Sequence, residues 1–167
     1  MTHHPKLQAQ ARLATPMGEM TAAATATGLA GLWFDGQAHH PGPLAVPVDA
    51  DHPVLKAAAA ALAAYFNSAA EPLQKVALDL HGTAFQQAVW RALLALPRGA
   101  TSTYSQIAVA AGSPAAVRAA GAAIGRNPVS ILVPCHRVLG RDGSLTGYAG
   151  GLHRKVALLR AEGIVAG

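Results

Sequence analysis

Tyr104-Ser105-Gln106-Ile107-Ala108-Val109-Ala110-Ala111-Gly112-Ser113-Pro114-Ala115-Ala116-Val117-Arg118-Ala119-Ala120-Gly121-Ala122-Ala123-Ile124-Gly125 is the stretch on which the fold turns. Its first eight residues form a helical segment that Gly112 ends, the usual place for glycine just past a helix. Ser113-Pro114 then reads as a cap followed by a proline at the first helical position, which predicts a second helix opening at once and running to Gly125. Helix, short glycine turn, helix is the outline of a helix-turn-helix, although any helical hairpin has the same spacing. The second helix is almost entirely small residues around the single Arg118. So bare a helix can approach another surface closely, whether a groove of DNA or a neighbouring helix.

Working outward, Thr83 reads as the cap of a core helix that places Phe85, Val89, Leu93, Leu94 and Leu96 on one face, with Pro97 and Gly99 stopping it. Further back, Val76 to Leu80 alternates like a short strand, and Lys56 to Asn67 has the Ala/Leu content of a helix. Residues 36–53 hold four prolines, three histidines and two glycines and read as an irregular loop. Met20 to Ala26 and Leu29 to Phe34, joined at Gly28, predict a hairpin. In the other direction, Val129 to Val133 reads as an extended buried run leading to Pro134-Cys135-His136-Arg137-Val138. Gly140 to Gly143 is a turn, Thr146 to Gly151 a glycine-rich loop, and Leu152 to Glu162 a last helix with Leu152, Val156 and Leu159 inward, stopped by Gly163. No internal repeat is visible. The expected class is α+β, with a small N-terminal α/β domain over residues 1–80 and a mostly helical domain over 81–167.

Charge divides the chain at the same place. Residues 1–80 carry a net charge of −2 and residues 81–167 one of +7, of the overall +5. The second half therefore has the electrostatics of a polyanion binder, unless its arginines serve only to solubilise an Ala-rich surface. The opening residues Met1 to Lys6 lack the apolar core of a signal peptide, and no apolar run nears the roughly 20 residues that cross a bilayer. The expectation is a cytoplasmic protein with no membrane partner. A single cysteine excludes an internal disulfide and a multi-cysteine zinc site, so no metal and no cofactor are expected.

Cys135 is then either an inert core thiol or a nucleophile. A thiol attacks as thiolate, and the adjoining His136 imidazole with the cationic Arg137 predicts a lowered pKa. His136 could reach the thiol if the backbone turns sharply after Pro134 or if a water relays the proton; it could equally be a structural histidine. A base of this kind needs an orienting group, and Asp142 and Glu162 are the only acidic residues downstream. Glu162 is the odder of the two, because a carboxylate in the last turn of a helix opposes the macrodipole and calls for a cationic or imidazole partner.

Ile131-Leu132-Val133-Pro134-Cys135-His136-Arg137-Val138 resembles the active-site signature of the O6-alkylguanine-DNA alkyltransferases, also called methylated-DNA-protein-cysteine methyltransferases. The similarity extends from residue 82 to 163 through Phe85-Gln86-x-x-Val89-Trp90, Pro97-x-Gly99, Tyr104, Arg118-Ala119-x-Gly121, Asn127-Pro128, Gly147-Tyr148-x-Gly150-Gly151 and Glu162-Gly163. It is looser in the first half, through Pro16-Met17-Gly18 and Gly28-Leu29-x-x-Leu32-Trp33-Phe34. The resemblance implies a ribonuclease H-like N-terminal domain and a winged-helix-like helix-turn-helix in the C-terminal one. It implies that Cys135 accepts the alkyl group, that His136 takes the thiol proton through a water, and that Glu162 orients His136. Tyr104 would crowd the target phosphate and help the guanine leave as a neutral base. Arg118 would fill the space of the flipped nucleotide on a helix whose Ala119 and Gly121 lie close to the minor groove, and Asn127 would tie that helix to the active-site segment. Pro134, Val138, Tyr148 and Ala149 would shape the base pocket.

The implied partner is double-stranded DNA carrying O6-alkylguanine, with O4-alkylthymine as a further substrate, and the protein itself is expected to be a monomer; cooperative assembly on DNA is left open. Two features depart from some relatives: Ala149 stands where they carry a hydroxyl, and the cysteines of a zinc-binding or phosphotriester-repairing segment are absent. Three rivals remain beside a single-use alkyltransferase. A lesion-binding protein without acceptor chemistry conflicts with Cys135, a helix-turn-helix regulator would need more base-reading side chains than the second helix has, and a Cys-His-Glu hydrolase leaves the basic half unexplained.

Overall fold

The computed structural model describes residues 5–67 and 76–164; residues 1–4, on which part of the expectation about a signal peptide falls, lie outside the described residues. The chain divides into two compact units, Met1–His81 with Pro128–Leu132, and Gly82–Asn127 with Val133–Gly167. It is a mixed α/β protein.

In the first unit, strands β1 (Ala9–Thr15), β2 (Gly18–Ala24) and β3 (Leu29–Phe34) form an antiparallel meander in the order β1-β2-β3, with Met20 opposite both Leu13 and Phe34. The β2–β3 hairpin is the one expected, with β2 shifted two residues towards the N-terminus. β1 carries no β-branched run that would have marked it; only Ala9 and Ala11 are buried along it, and its pairing with β2 makes it a strand. Helix α1 (Pro53–Asn67) starts three residues before Lys56, because His52 acts as a cap: its Nδ1 accepts the Val54 amide at 3.2 Å, and Pro53 occupies the first turn, where its missing N–H costs nothing. The expected strand at 76–80 reduces to a single parallel bridge between Leu78 and Leu29. A Cβ on Gly28 would lie 2.8 Å from the Ala77 carbonyl oxygen, so only glycine allows that approach. Beyond the bridge, Asp79 accepts from Thr25 Oγ1 at 2.5 Å and Thr27 Oγ1 at 2.9 Å.

The run Val129 to Val133 is buried as expected but is not extended. Val129 bridges to Leu32, and the chain then folds through a tight turn in which the Leu132 amide donates to Ser130 O at 2.8 Å, with Ile131 at φ 70°. A β-branched residue in that region costs on the order of 1–3 kcal/mol, offset here by burial that leaves Ile131 only 1% exposed.

The second unit is built from α2 (Ala84–Leu94), α3 (Tyr104–Ala110), α4 (Val117–Gly125) and α5 (Leu152–Ala161), with a two-residue parallel pair, β4 (Ser102–Thr103) and β5 (Val138–Leu139). Thr83 caps α2 through a reciprocal capping box with Gln86, and Thr103 caps α3 in the same way with Gln106. Trp90 Nε1 donates to Ala123 O at 2.9 Å and joins α2 to α4. The second helix of the hairpin does not open at Ser113-Pro114. The Ala116 amide bonds to Ser113 O at 2.9 Å, closing a turn with Pro114 at its second position, and α4 begins at Val117 with Ala116 as an N-cap lacking a side-chain bond. Proline's fixed φ suits either setting, and the turn wins here. The inward face of α5 also differs from expectation: Lys155, Leu158 and Leu159 are buried, Val156 is half-buried, and Leu152 is 47% exposed.

Candidate active site around a buried cysteine

Backbone geometry delivers Cys135. Pro134 sits at φ −83° and ψ 62°, the Cys135 amide closes back on Val133 O at 2.8 Å, and Cys135–Arg137 continue as one 3-10 turn. This inverse γ-turn is the sharp bend that Pro134 favours. The thiol is 5% exposed. Burial pushes its pKa up to about 11, against the pull of the Asn127 side chain, which hydrogen-bonds the sulfur, and of the Lys155 charge. The expected lowering by Arg137 does not occur. That guanidinium turns to Glu162, with Nε to Oε1 at 2.7 Å and Nη2 to Oε2 at 3.2 Å, and donates to Leu96 O at 2.7 Å. The cation that acts on the sulfur is Lys155, which sequence reasoning missed although its spacing from Leu158 and Leu159 places it on the buried face.

His136 is wholly buried, with Nε2 2.5 Å from Glu162 Oε2. Burial lowers its pKa in spite of Glu162, helped by the Arg137 and Lys155 charges, so the imidazole rests neutral. An ionised Glu162 makes Nε2 the protonated nitrogen and leaves Nδ1 as the basic one. Glu162 follows α5 as its C-cap, and its opposition to the helix dipole is answered by His136, by Arg137, and by the Gly99 amide, which donates to Oε1 at 3.0 Å. Gly99, at φ 86° in the turn after α2, is thus a further site residue, marked in the sequence by its place in that turn and in the Pro97-x-Gly99 match, though not as a partner of Glu162. Glu162 is only 9% exposed, so its carboxylate is part of the interior and not of the solvated surface.

Asn127, just past α4, also donates from Nδ2 to Val133 O at 2.8 Å, which joins the end of that helix to the Cys135 segment. Pro134 and Val138 are buried, and Val138 O accepts from Lys155 Nζ at 2.6 Å. Tyr148, half-buried, stands edge-on to His136 with ring centroids 6.5 Å apart, and Ala149 beside it is half-buried. Tyr104 reaches this group through Thr146, hydroxyl to hydroxyl at 2.5 Å. A Cβ on Gly121 would lie 3.6 Å from the Tyr104 ring, so α3 and α4 meet through that glycine. Arg118 and Ala119 lie on the exposed side of α4. Cys135, His136, Glu162, Asn127, Pro134, Val138 and Tyr148 thus form one cluster within the second unit, with Tyr104 at its edge and Arg118 on an open helix face.

A buried thiol next in sequence to an imidazole paired with a carboxylate, in a basic unit that also holds the α3–α4 helical hairpin, is the arrangement to set beside known DNA-binding proteins. Residues 84–164 match the family described as 6-O-methylguanine DNA methyltransferase, DNA binding domain. The chain is 39% identical over 150 residues to the methylated-DNA--protein-cysteine methyltransferase of Haemophilus influenzae, covering 90% of this chain and 83% of that one. It is 59% identical over 87 residues to the protein of the same name from Mycobacterium tuberculosis, covering 52% and 53% of the two chains. Among solved structures it is similar to the Mycobacterium tuberculosis O6-methylguanine methyltransferase, at 40% identity, a TM-score of 0.79 and coverage of 93% and 92%. The same identity and TM-score are found for Mycobacterium tuberculosis OGT in complex with DNA, with 92% of each chain covered. The chain belongs to the methylated-DNA--protein-cysteine methyltransferase family.

Proposed function

We propose that this protein repairs DNA by direct reversal, transferring the alkyl group of O6-alkylguanine, and of O4-alkylthymine, to its own Cys135. The observation that carries the reading is the buried Cys135 thiol followed directly by His136, whose Nε2 stands 2.5 Å from Glu162 Oε2. His136 Nδ1 takes the thiol proton through a water. The thiolate attacks the alkyl carbon, the new C–S bond forms as the C–O6 bond breaks, and the electron pair stays on guanine, which gains a proton from Tyr104. Tyr104 recovers its proton from the one His136 took, so the sum moves the thiol hydrogen to guanine and the alkyl group to sulfur. Nucleophile and base both belong to the chain, and no cofactor is needed. The thioether is stable, so each molecule acts once.

A base inside a duplex cannot reach a thiol this buried, so the nucleotide must be flipped out at a cost of a few kcal/mol. Exposed Arg118 and Ala119, with Gly121 between α4 and Tyr104, support a minor-groove approach in which Arg118 fills the vacated stack and the other arginines of residues 81–167 hold phosphates. Asn127 ties that helix to the acceptor, and Pro134, Val138, Tyr148 and Ala149 enclose the base. Residues 81–167 would constitute the winged-helix-like DNA-binding and acceptor domain and residues 1–80 a ribonuclease H-like domain, in a monomeric cytoplasmic protein. Incubation with a duplex containing one O6-methylguanine should add a single methyl mass at Cys135, with repair ending at one equivalent. An unchanged intact mass would overturn the reading.

A further inference from the structure

We propose that Thr146 is a positioning residue for alkyl transfer, its hydroxyl fixing the direction in which Tyr104 presents its proton. The inference rests on the alkyl-transfer reading above. The two hydroxyls are 2.5 Å apart, and either can donate. Tyr104 opens α3, and its ring stands on the side of Gly121 of α4, where a Cβ would lie 3.6 Å from it. Thr146 lies in a stretch without helix or strand, and it is held from the other side: Lys155 Nζ donates to its carbonyl at 3.4 Å and to Val138 O at 2.6 Å, three residues beyond Cys135. Two residues further along, Tyr148 stands against His136. Thr146 therefore joins the helix hairpin to the acceptor segment through one side-chain bond and one backbone bond.

A hydroxyl pair shares one hydrogen bond, and its direction matters chemically. If Tyr104 donates to Thr146, its proton is occupied. If Thr146 donates, the phenolic proton is left for an outside acceptor, and the oxygen that remains after proton transfer is already hydrogen-bonded. A bond to a charged oxygen is about twice as strong as the neutral one, so the Thr146 donor favours the transition state over the resting state. Threonine's β-branch restricts χ1, which holds that donor in place better than serine would.

Single-turnover transfer from an O6-methylguanine duplex, with duplex affinity measured alongside, tests this in the full chain. Thr146→Val should slow transfer about tenfold, with affinity unchanged within twofold, the size expected for losing one hydrogen bond to a charged group. Thr146→Ser should restore most of the rate, and Thr146→Val added to Tyr104→Phe should cost nothing more, because its effect passes through the missing hydroxyl. Thr146→Ala gives the same readout should valine disturb the loop. Wild-type speed in both variants, or an equal loss in the Tyr104→Phe background, would overturn the inference while leaving the alkyl-transfer reading intact; failure of the wild type to methylate Cys135 strikes that reading instead.

Discussion

His136 sets how transfer responds to pH. Its pKa lies below the ordinary imidazole value because burial outweighs Glu162, so near neutrality it is an unprotonated base facing a thiol whose pKa is about 11. Transfer should be level through neutral pH and fall only in acid, as the imidazole gains a proton. In His136→Gln the base is gone and the reaction must wait for spontaneous ionisation of Cys135. Its rate should climb about tenfold per pH unit towards 11, as follows from the fraction of thiolate. Rate profiles of the two proteins on one duplex check this; parallel profiles would remove His136 from the proton path. Glu162 carries a different burden. Its carboxylate is the partner of the buried Arg137 as well as of His136, so Glu162→Gln leaves a cation in the interior without its counter-charge. Loss of about 3–5 kcal/mol in urea unfolding is expected, the size found when one member of a buried pair is removed. Lys155 completes this group of charges. Its amine, held below the usual lysine range by desolvation, keeps enough charge to draw the thiol's pKa partly back down.

At the scale of elements, α4 presents Arg118 and Ala119 to solvent while Ala120, Ala123 and Ile124 are buried behind them. If Arg118 holds a nucleotide out of the stack, Arg118→Ala should slow transfer from duplex DNA at least tenfold and leave transfer from a free O6-benzylguanine base unchanged. Equal slowing on both substrates would place Arg118 in the chemistry rather than in base extrusion. The same elements separate what could be read locally from what could not. Thr83, Gly112 and Gly163 marked helix ends because capping is decided within a few residues, and Leu29 to Phe34 was plain as an apolar strand. Pro114 misled because its ring suits the second position of a turn as well as the first turn of a helix. β1 has a weak strand composition and is made a strand by the neighbouring β2, Leu78 is held by Leu29 far back in the chain, and Ile131 adopts a φ that its side chain resists, so the apolar run 129–133 looked like a strand. In the site, the Cys135-His136 step and the need of Glu162 for a partner were legible. The departure of Arg137 to Glu162, and its replacement by Lys155 beside the sulfur, depend on which side chains share the interior.

Across the whole molecule, the acidic excess of residues 1–80 and the basic excess of 81–167 place every residue of the candidate site in the positively charged part of the chain. The division into units is not a single cut, since Pro128–Leu132 belongs with the first unit while the residues on both sides belong with the second. That excursion comes just before the acceptor, so a fragment cut at residue 80 would part Pro128, Val129 and Ser130 from Leu32, with which they pair.

The burial of Cys135 has one more consequence. Oxidants and adventitious electrophiles consume thiolates that are ionised and within reach, and this sulfur rests protonated at 5% exposure. A reagent that can be spent only once has a shelf life, and here it is guarded by leaving the thiol dormant until a lesion is brought to it.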